Sequence, residues 1–366
     1  MYIKELKLNN FRNYEEASLT FNKDSNIIKG KNGQGKTNLL ESIYILSMGK
    51  SFRTLKDAEM IKFGKDKFSI KGLFYKDEED LSVEIKLQKK EKRIIIDGVE
   101  KKKNADLLEK VYTVIFSPDD LRIVKDDPKK RRKFMDRELF MLKPLYYIEL
   151  SKYKKALDSR NTLLREEKIN EDLLDIYDTY LAKHGAKIIK NRRYFINKLD
   201  EASREIENKI TDEKEELKVT YESNIELLED DEEQIKLISY LLKINRNKDI
   251  MYRTTSIGPQ KDDLKITING IDLRKYGSQG QHKTAAISLK LAELKMIKKE
   301  TNEEAILLLD DVLSELDEER QKKIINSFET NQLFITSADY NEQYSNNFAS
   351  GYSFIVEKGK VKREEN

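Results

Sequence analysis

The sequence predicts an α/β body built from both ends of the chain, with an α-helical arm inserted between them. Apolar and polar residues alternate near both termini, as in β-strands, whereas apolar residues recur at helical spacing in the middle. The glycines divide the chain in the same way, because the long central stretch contains Gly185 as its only glycine. We therefore expect residues 1–127 and 250–366 to form the body and residues 128–249 to form the arm.

The composition excludes several classes of protein. Of the 366 residues, 38% are hydrophobic and 37% are charged, so we expect long solvated helix faces beside a compact core. The chain has no cysteine and only two histidines, which excludes disulfides and a zinc centre. No apolar run approaches the roughly 18 residues that span a bilayer, so we expect a soluble cytoplasmic protein without a membrane partner. The net charge of +3 means that any site for a polyanion must be local.

The strand candidates lie at the two ends of the chain. In the N-terminal part, alternation and short apolar runs indicate strands at Tyr2–Leu8, Leu19–Phe21, Ile27–Ile28, Phe68–Tyr75, Leu81–Leu87 and Arg93–Ile96. In the C-terminal part, Leu264–Ile268 precedes the hairpin signal Asn269-Gly270, and Ala305–Leu309 is wholly apolar, as in a buried parallel strand. These elements predict the α/β body.

The helical arm is predicted because apolar residues recur at helical spacing and no helix-breaking residue interrupts them. Apolar residues recur every three or four positions from Tyr146 onwards, and no proline occurs between Pro144 and Pro259. One helix from Asp172 to Ile210 would be on the order of 60 Å long. His184 falls on its apolar face, so we expect this histidine to be packed or half-exposed rather than catalytic.

A phosphate loop is the strongest motif. The residues that match G-x-x-x-x-G-K-[ST] are Gly30, Lys31, Asn32, Gly33, Gln34, Gly35, Lys36 and Thr37, with Asn38 following. A strand leads into the motif and a helix-compatible run leads out, so backbone N–H groups can point at a phosphate. A chance glycine-rich turn is disfavoured by these flanking elements. We expect Lys36 to contact the β- and γ-phosphates of ATP and the Thr37 hydroxyl to bind Mg²⁺.

Two carboxylates follow the apolar strand near residue 309. We expect Asp310 to organise the magnesium shell and Asp311 to polarise the attacking water near the γ-phosphate. A helix N-cap is the alternative interpretation of this pair, because Asp is favoured at N-caps. The phosphate loop elsewhere in the chain favours the catalytic interpretation.

A second anion site is predicted about 30 residues earlier. The sequence Ser278, Gln279, Gly280, Gln281 stands at the start of an apolar-patterned helix, where N–H groups and a hydroxyl can bind a phosphate. Taken alone, this motif is weak, and an N-capped helix would be the default interpretation. Its position before the acidic strand, which Ser314–Asp317 follows, favours phosphate binding by Ser278, Gly280 and Gln281.

These elements, in this order, resemble the ABC-type ATPases and, within them, the RecF family of bacterial DNA repair proteins in the SMC/RecF group. The matching stretches cover nearly the whole length, most weakly in the arm; they are Ile3–Tyr14, Phe116–Leu121, Arg131–Asp136, Gly258–Asp263 and Ser278–Gln281. The resemblance implies an ABC-type ATPase head with mixed sheets, split by an inserted helical arm domain.

The resemblance also implies a mechanism and partners. ATP would lie between two heads, held by the phosphate loop of one copy and capped by Ser278 and Gly280 of the other. A weak, DNA-stimulated ATPase would then act as a release switch for a homodimer on duplex, gapped or junction DNA. The partners implied are RecR and RecO, with RecA loaded indirectly.

Some residues depart from related ATPases. The segment Phe334–Asp339 contains no histidine to contact the γ-phosphate, and no glutamine loop is visible between the phosphate loop and the arm. Asp311 stands where transport ATPases carry a glutamate. In Gly258–Asp263, glutamine and lysine replace the His-Arg pair frequent in the family, which puts a proton-transfer role there in doubt.

DNA is expected at basic segments. Residues 122–133 hold seven basic and two acidic residues, and residues 89–103 form a second basic patch. We expect Lys129, Lys130, Arg131 and Arg132 to contact duplex DNA, although a solvated helix start is the alternative interpretation. An ABC transporter subunit and an SMC-like structural clamp remain alternative functions; the inserted arm argues against the first and the arm's short length against the second.

Overall fold

The chain folds into two compact units. The computed structural model describes residues 1–89, 91–102, 104–312, 331–337 and 351–364. One unit comprises Met1–Leu121 with the described part of Glu293–Asn366, and the other comprises Arg122–Ala292. Within the described ranges, no helix combines the length and the apolar character needed to cross a membrane.

The elements are numbered in chain order. The strands are β1 (Tyr2–Phe11), β2 (Tyr14–Thr20), β3 (Ser25–Lys29), β4 (Lys67–Lys76), β5 (Glu79–Gln88), β6 (Glu91–Ile96), β7 (Val99–Lys101), β8 (Thr113–Phe116), β9 (Leu217–Glu222), β10 (Asp263–Ile268), β11 (Ile271–Asp272), β12 (Ile306–Asp310), β13 (Leu333–Ser337), β14 (Tyr352–Glu357) and β15 (Lys360–Arg363). The helices are α1 (Lys36–Met48), α2 (Pro128–Leu142), α3 (Pro144–Leu163), α4 (Glu171–Thr211), α5 (Asp231–Ile244), α6 (Arg246–Tyr252), α7 (Leu273–Tyr276) and α8 (Gln279–Thr301).

The first unit contains a mostly parallel sheet that joins the two ends of the chain. Its strand order is β15-β14-β3-β13-β12-β8, and β14, β3, β13, β12 and β8 run parallel. The strands β12 and β13 are almost wholly buried, which explains their mainly apolar sequences, and four of the five residues of β3 are buried as well. Because parallel strands end at the same edge of a sheet, this order brings the segments after β3 and β12 close together.

An antiparallel sheet completes the first unit. Its order is β2-β1-β4-β5-β6-β7, and alternate side chains are buried along most of β4 and in the second half of β5, as the sequence pattern predicts. The helix α1 packs its apolar residues against this unit's strands and ends at Gly49, whose φ of 65° closes the helix. The predicted strands of the N-terminal part are confirmed.

The second unit is built around the longest helix. The helix α4 runs without interruption from Glu171 to Thr211, as the absence of proline predicts. The Asn170 side chain caps it by accepting a hydrogen bond from Leu173 N. His184 is buried in α4, where its Nδ1 lies 2.6 Å from Glu149 Oε2, so this histidine packs within the unit as expected.

The second unit extends beyond the predicted arm because of a three-stranded sheet. The strand β9 lies inside the segment expected to be helical, and it pairs in antiparallel register with β10, from Asp263↔Glu222 to Ile268↔Leu217. This pairing holds residues beyond 249 in the second unit, whose boundary is Ala292. Local periodicity does not reveal a pairing between strands that are some forty residues apart.

Candidate nucleotide-binding site

The loop between β3 and α1 has a backbone that only glycine can adopt without strain. Gly30 and Gly35 have φ angles of 153° and 121°. A Cβ at Gly30 would lie 2.5 Å from Val356 O, and one at Gly35 would lie 2.6 Å from Asn13 Nδ2. The chain therefore curves tightly from Gly30 to Thr37, as the phosphate-loop motif predicts.

Lys36 lies inside this loop. Its side chain is buried, and Nζ donates a hydrogen bond of 2.7 Å to Gly30 O, with longer contacts of 3.4 Å to Lys31 O and Asn32 Oδ1. An ammonium group has three donors and no acceptor. An anion bound in the loop would therefore meet a cation that is already held in place by the loop itself.

Thr37 and Asp310 meet at the carboxyl edge of the parallel sheet. Thr37 Oγ1 donates to Asp310 Oδ1 at 2.8 Å, and Thr336 Oγ1, at the end of β13, donates to the same oxygen at 3.0 Å. Burial raises the pKa of Asp310, and the two hydroxyl hydrogen bonds oppose that rise. The donor set consists of hydroxyl and carboxylate oxygens, which are the ligands that Mg²⁺ prefers. The two predicted metal ligands are thus in direct contact.

Asp311 adopts a conformation that is uncommon for a residue with a side chain. Its φ is 53°, in the left-handed region that Asp and Asn tolerate better than most residues. The hydroxyl of Thr336 fixes this turn, because Asp311 N donates to Thr336 Oγ1 at 2.9 Å. The two predicted carboxylates therefore follow β12 directly, with Asp311 half-buried at the edge of the sheet.

A chain of side-chain hydrogen bonds supports the loop. Asn13 Nδ2 donates to Gln34 O at 2.6 Å, Asn38 Nδ2 donates to Asn13 Oδ1 at 2.9 Å, and Arg53 Nη1 donates to Asn38 Oδ1 at 2.7 Å. Tyr14 OH also donates to Gly35 O at 2.9 Å. Asn38 is one of the predicted site residues, whereas the sequence predicts no role for Asn13 or Arg53.

Asn13 lies in the stretch Ile3–Tyr14 that resembles the RecF family, and it interrupts the strand pattern between β1 and β2, but neither signal assigns it a role in the nucleotide site. Arg53 carries no such signal, because its position depends on a buried carboxylate. Glu41 is fully buried in α1, where Arg12 binds it through two hydrogen bonds of 2.6 and 2.9 Å and Arg53 lies 3.6 Å away. Burial raises the pKa of Asp310, and the charge of Arg53 is a minor cause that opposes this rise.

The predicted second anion site lies in the second unit. Ser278 Oγ accepts from Gln281 N at 3.2 Å, and Gln281 Oε1 accepts from Ser278 N at 3.0 Å. This reciprocal pair is a capping box at the start of α8, as the alternative interpretation expected. Gln281 Nε2 also donates to Glu215 Oε1 at 2.9 Å, so this side chain is engaged within the unit. Gly280 follows the cap at the first turn of the helix.

The basic segment before α2 is not a uniform exposed patch. Arg131 is 1% exposed and binds Asp263 through hydrogen bonds of 2.7 and 2.9 Å. Arg132 Nη1 donates to Asp262 O at 2.6 Å, and Lys130 Nζ lies 2.5 Å from Asp126 Oδ2. Only Lys129 of the four predicted DNA contacts is exposed without a side-chain partner. Arg131 differs from the expected surface position because the carboxylate of Asp263 binds it inside the unit.

Some predicted positions lie outside the described residues. They are Ser314–Asp317 after the acidic pair, Ala338 and Asp339 at the end of the segment that lacks a histidine, and Lys90 and Lys103 in the second basic patch. The predicted site residues of the phosphate loop, the acidic strand and the start of α8 are all described.

Known proteins resemble the chain along its whole length. Residues 2–358 match the RecF/RecN/SMC N-terminal domain family. The "DNA replication and repair protein RecF" of Clostridioides difficile (strain 630) is 44% identical, covering 100% of this chain and 99% of that protein. The protein of the same name from Clostridium acetobutylicum is 43% identical, with 99% of each chain covered.

Solved structures agree with the sequence comparisons. A structure of the recombination mediator protein RecF-ATP in the RecFOR pathway has a TM-score of 0.92 and 37% identity, covering 100% of this chain and 98% of the solved chain. An SMC head domain from Pyrococcus furiosus has a TM-score of 0.56 at 15% identity, covering 99% and 96%, which shows likeness of fold alone. The predicted ABC-type ATPase head of the α/β class is confirmed.

Proposed function

The chain belongs to the RecF family of DNA replication and repair proteins, and from this premise we propose that it is an ATP-dependent, DNA-binding recombination mediator. It binds ATP, dimerises in the ATP-bound state, binds duplex DNA at gaps or junctions, and helps to load RecA for gap repair and replication restart. The observation that carries the proposal is the hydrogen bond of 2.8 Å between Thr37 and Asp310, which joins the phosphate loop to the acidic strand.

The phosphate loop binds the triphosphate. Backbone N–H groups between Gly30 and Thr37 surround the phosphates, and the Lys36 ammonium exchanges its contact with Gly30 O for phosphate oxygens. Thr37 and Asp310 hold Mg²⁺, which neutralises charge on the triphosphate when bound. The nucleotide in the RecF-ATP structure supports this assignment for the present chain.

Asp311 prepares the water that attacks the γ-phosphate. Its carboxylate follows the Mg²⁺-binding Asp310 directly and can accept a proton from water. An aspartate is one methylene shorter than the glutamate of transport ATPases, so we expect slow turnover. Slow hydrolysis suits a switch that ends a DNA-bound state.

The γ-phosphate is capped by a second copy of the chain. Ser278 and Gly280 stand at the N-terminus of α8, where the helix dipole favours an anion. ATP then forms part of the dimer interface, and loss of its terminal phosphate releases the two copies. Gln281 supports this cap through its hydrogen bond with Ser278 N.

DNA and partner proteins complete the proposed function. Electrostatic attraction drives DNA binding, with Lys129 and Lys130 contacting the phosphates. Arg132 lies beside them and donates a hydrogen bond to Asp262 O. Arg131 supports this segment from inside through Asp263. The solved relative acts in the RecFOR pathway, which supports RecR and RecO as partners. We place the protein in the cytoplasm, together with its DNA substrate.

Replacing Asp311 by asparagine tests the switch. We expect Asp311→Asn to bind ATP and duplex DNA as a dimer but to release phosphate at least about 100-fold more slowly, because the general base is lost. The fold should persist, since asparagine tolerates the left-handed backbone at this position. Sedimentation with ATP and a short duplex, together with a phosphate-release assay, measures both effects.

The matched control is Asp24→Asn, at an exposed carboxylate before β3, which should behave as the wild type. Normal phosphate release by Asp311→Asn would refute the assigned role of its carboxylate. A wild-type protein that remains monomeric and free of DNA at saturating ATP would refute the proposed function as a whole.

A further inference from the structure

Two large apolar side chains stand out on the surface of the first unit. Phe63 is 100% exposed and Leu55 is 88% exposed, more than any other large apolar residue in the described ranges. Both belong to residues 50–65, between α1 and β4, which we call the rim segment. Single exposed apolar residues are ordinary on protein surfaces, so the positions of these two must decide whether they matter.

Hydrogen bonds of neighbouring residues hold the backbone of the rim segment near both Leu55 and Phe63. Next to Leu55, Thr54 N donates to Ser51 Oγ at 3.0 Å and Lys56 N donates to Thr54 Oγ1 at 3.1 Å. Next to Phe63, Lys62 N donates to Asn10 O at 2.8 Å. The two apolar side chains are therefore presented to solvent by an ordered backbone.

The same segment is bonded to the residues that support the phosphate loop. Arg53, two residues before Leu55, donates to Asn38 Oδ1 at 2.7 Å, and Asn38 follows Thr37 in the chain. Lys62, one residue before Phe63, donates through Nζ to Asn13 O at 3.4 Å, and Asn13 contacts Gln34 O. Leu55 and Phe63 thus belong to a segment that is hydrogen-bonded to the residues supporting the phosphate loop.

We propose that Leu55 and Phe63 are apolar anchors of the ATP-dependent dimer, buried against the second copy of this chain. The inference rests on the proposed function, in which a second copy covers the nucleotide, and it names the surface that this copy meets. A rigid, exposed aromatic residue loses little conformational freedom on binding, which is the property of an interface anchor. In a symmetric dimer both copies bury the same side chain, so one substitution removes two buried side chains from the interface.

Serine variants measure this contribution. We expect Phe63→Ser and Leu55→Ser each to raise the dissociation constant of the ATP-bound dimer at least about tenfold, because two buried side chains are lost per dimer. ATP affinity at a protein concentration that keeps the chain monomeric should remain unchanged. Both residues are exposed, so neither variant should lower the thermal midpoint. Leu145→Ser, at a leucine of α3 that is 74% exposed, is the matched control and should dimerise as the wild type.

A fluorescent reporter gives a second, independent readout. The chain contains no tryptophan, so Phe63→Trp introduces a single emitter at the rim segment. On addition of ATP its emission should shift to shorter wavelength, and the fraction shifted should rise with protein concentration. A shift that is independent of protein concentration would mean that the side chain contacts the nucleotide within one copy, and it would overturn the proposal.

The outcomes separate this inference from the proposed function. A wild-type chain that stays monomeric with bound ATP contradicts the proposed dimer itself. A wild-type chain that dimerises, with Phe63→Ser and Leu55→Ser dimerising at the same dissociation constant, leaves the dimer intact and overturns the anchor role. Loss of ATP binding by monomeric Phe63→Ser would assign the residue to the nucleotide base instead.

Discussion

Replacing Lys36 by methionine is expected to weaken ATP binding by about 100-fold or more and to abolish ATP-dependent dimerisation. The side chain is buried in the phosphate loop, where its ammonium donates to Gly30 O at 2.7 Å. Each charge-assisted hydrogen bond to a phosphate contributes about 1.5–3 kcal/mol, so the loss of two gives this magnitude. Titration with a fluorescent ATP analogue and sedimentation with ATP measure the two effects.

Methionine is apolar and of similar length, so it should fill the same buried position without unfolding the loop. Lys23→Met provides the control, because Lys23 is an exposed lysine shortly before β3 that has no assigned role. A Lys36→Met protein that sediments with ATP as the wild type does would show that the loop does not hold the nucleotide.

Replacing Arg160 by leucine is expected to lower the free energy of unfolding of the second unit by about 3–5 kcal/mol. Arg160 is fully buried, and it donates to Asp178 Oδ1 at 2.6 Å and to Asp249 Oδ2 at 2.7 Å. The substitution leaves the fully buried Asp249 without its ion pair, although Ser256 Oγ still donates to it at 2.6 Å. Chemical denaturation followed by circular dichroism measures the change.

A half-buried arginine of α4, whose ion-pair partner is exposed, gives the control. Arg193 forms an ion pair with Glu229, whose side chain is 86% exposed, so Arg193→Leu should cost less than about 1 kcal/mol. Equal destabilisation by the two variants would show that burial of the Arg160 ion pairs does not stabilise the unit.

The sequence predicts those helices, strands and turns that depend on residues close together in the chain. Helical spacing and the absence of proline predict α4 from Asp172 to Ile210, and the helix runs from Glu171 to Thr211. The phosphate loop and the apolar run before Asp310 predict their own strands and turns. Their meeting is also predictable, because parallel buried strands end at the same edge of a sheet.

Long-range contacts explain what the sequence does not reveal. The pairing of β9 with β10 depends on two short strands with a helical segment between them. The burial of Arg131 depends on Asp263, which lies 132 positions away in the chain. A run of basic residues looks the same whether its arginines face solvent or a buried carboxylate, so charge density alone could not exclude Arg131 as a DNA contact.

The residues that support the phosphate loop also could not be predicted from the sequence, because they act through contacts that are distant in the chain. Asn13 and Arg53 reach the loop through side-chain hydrogen bonds whose partners are 21 and 15 positions away. Neither residue type marks a nucleotide site by itself. A glycine-rich motif identifies the loop, whereas the side chains that hold the loop in place become visible only in the folded chain.

The direct test of a nucleotide site completed by a second copy is the mass of the Ser278→Arg variant in solution with saturating ATP. Loss of the capping box should cost about 1 kcal/mol, so the variant should stay folded, as its thermal unfolding will show. We expect it to bind ATP with the affinity of the wild-type monomer and to remain monomeric, while the wild type forms a dimer in the same experiment. A Ser278→Arg protein that dimerises with ATP as the wild type does would contradict the shared site.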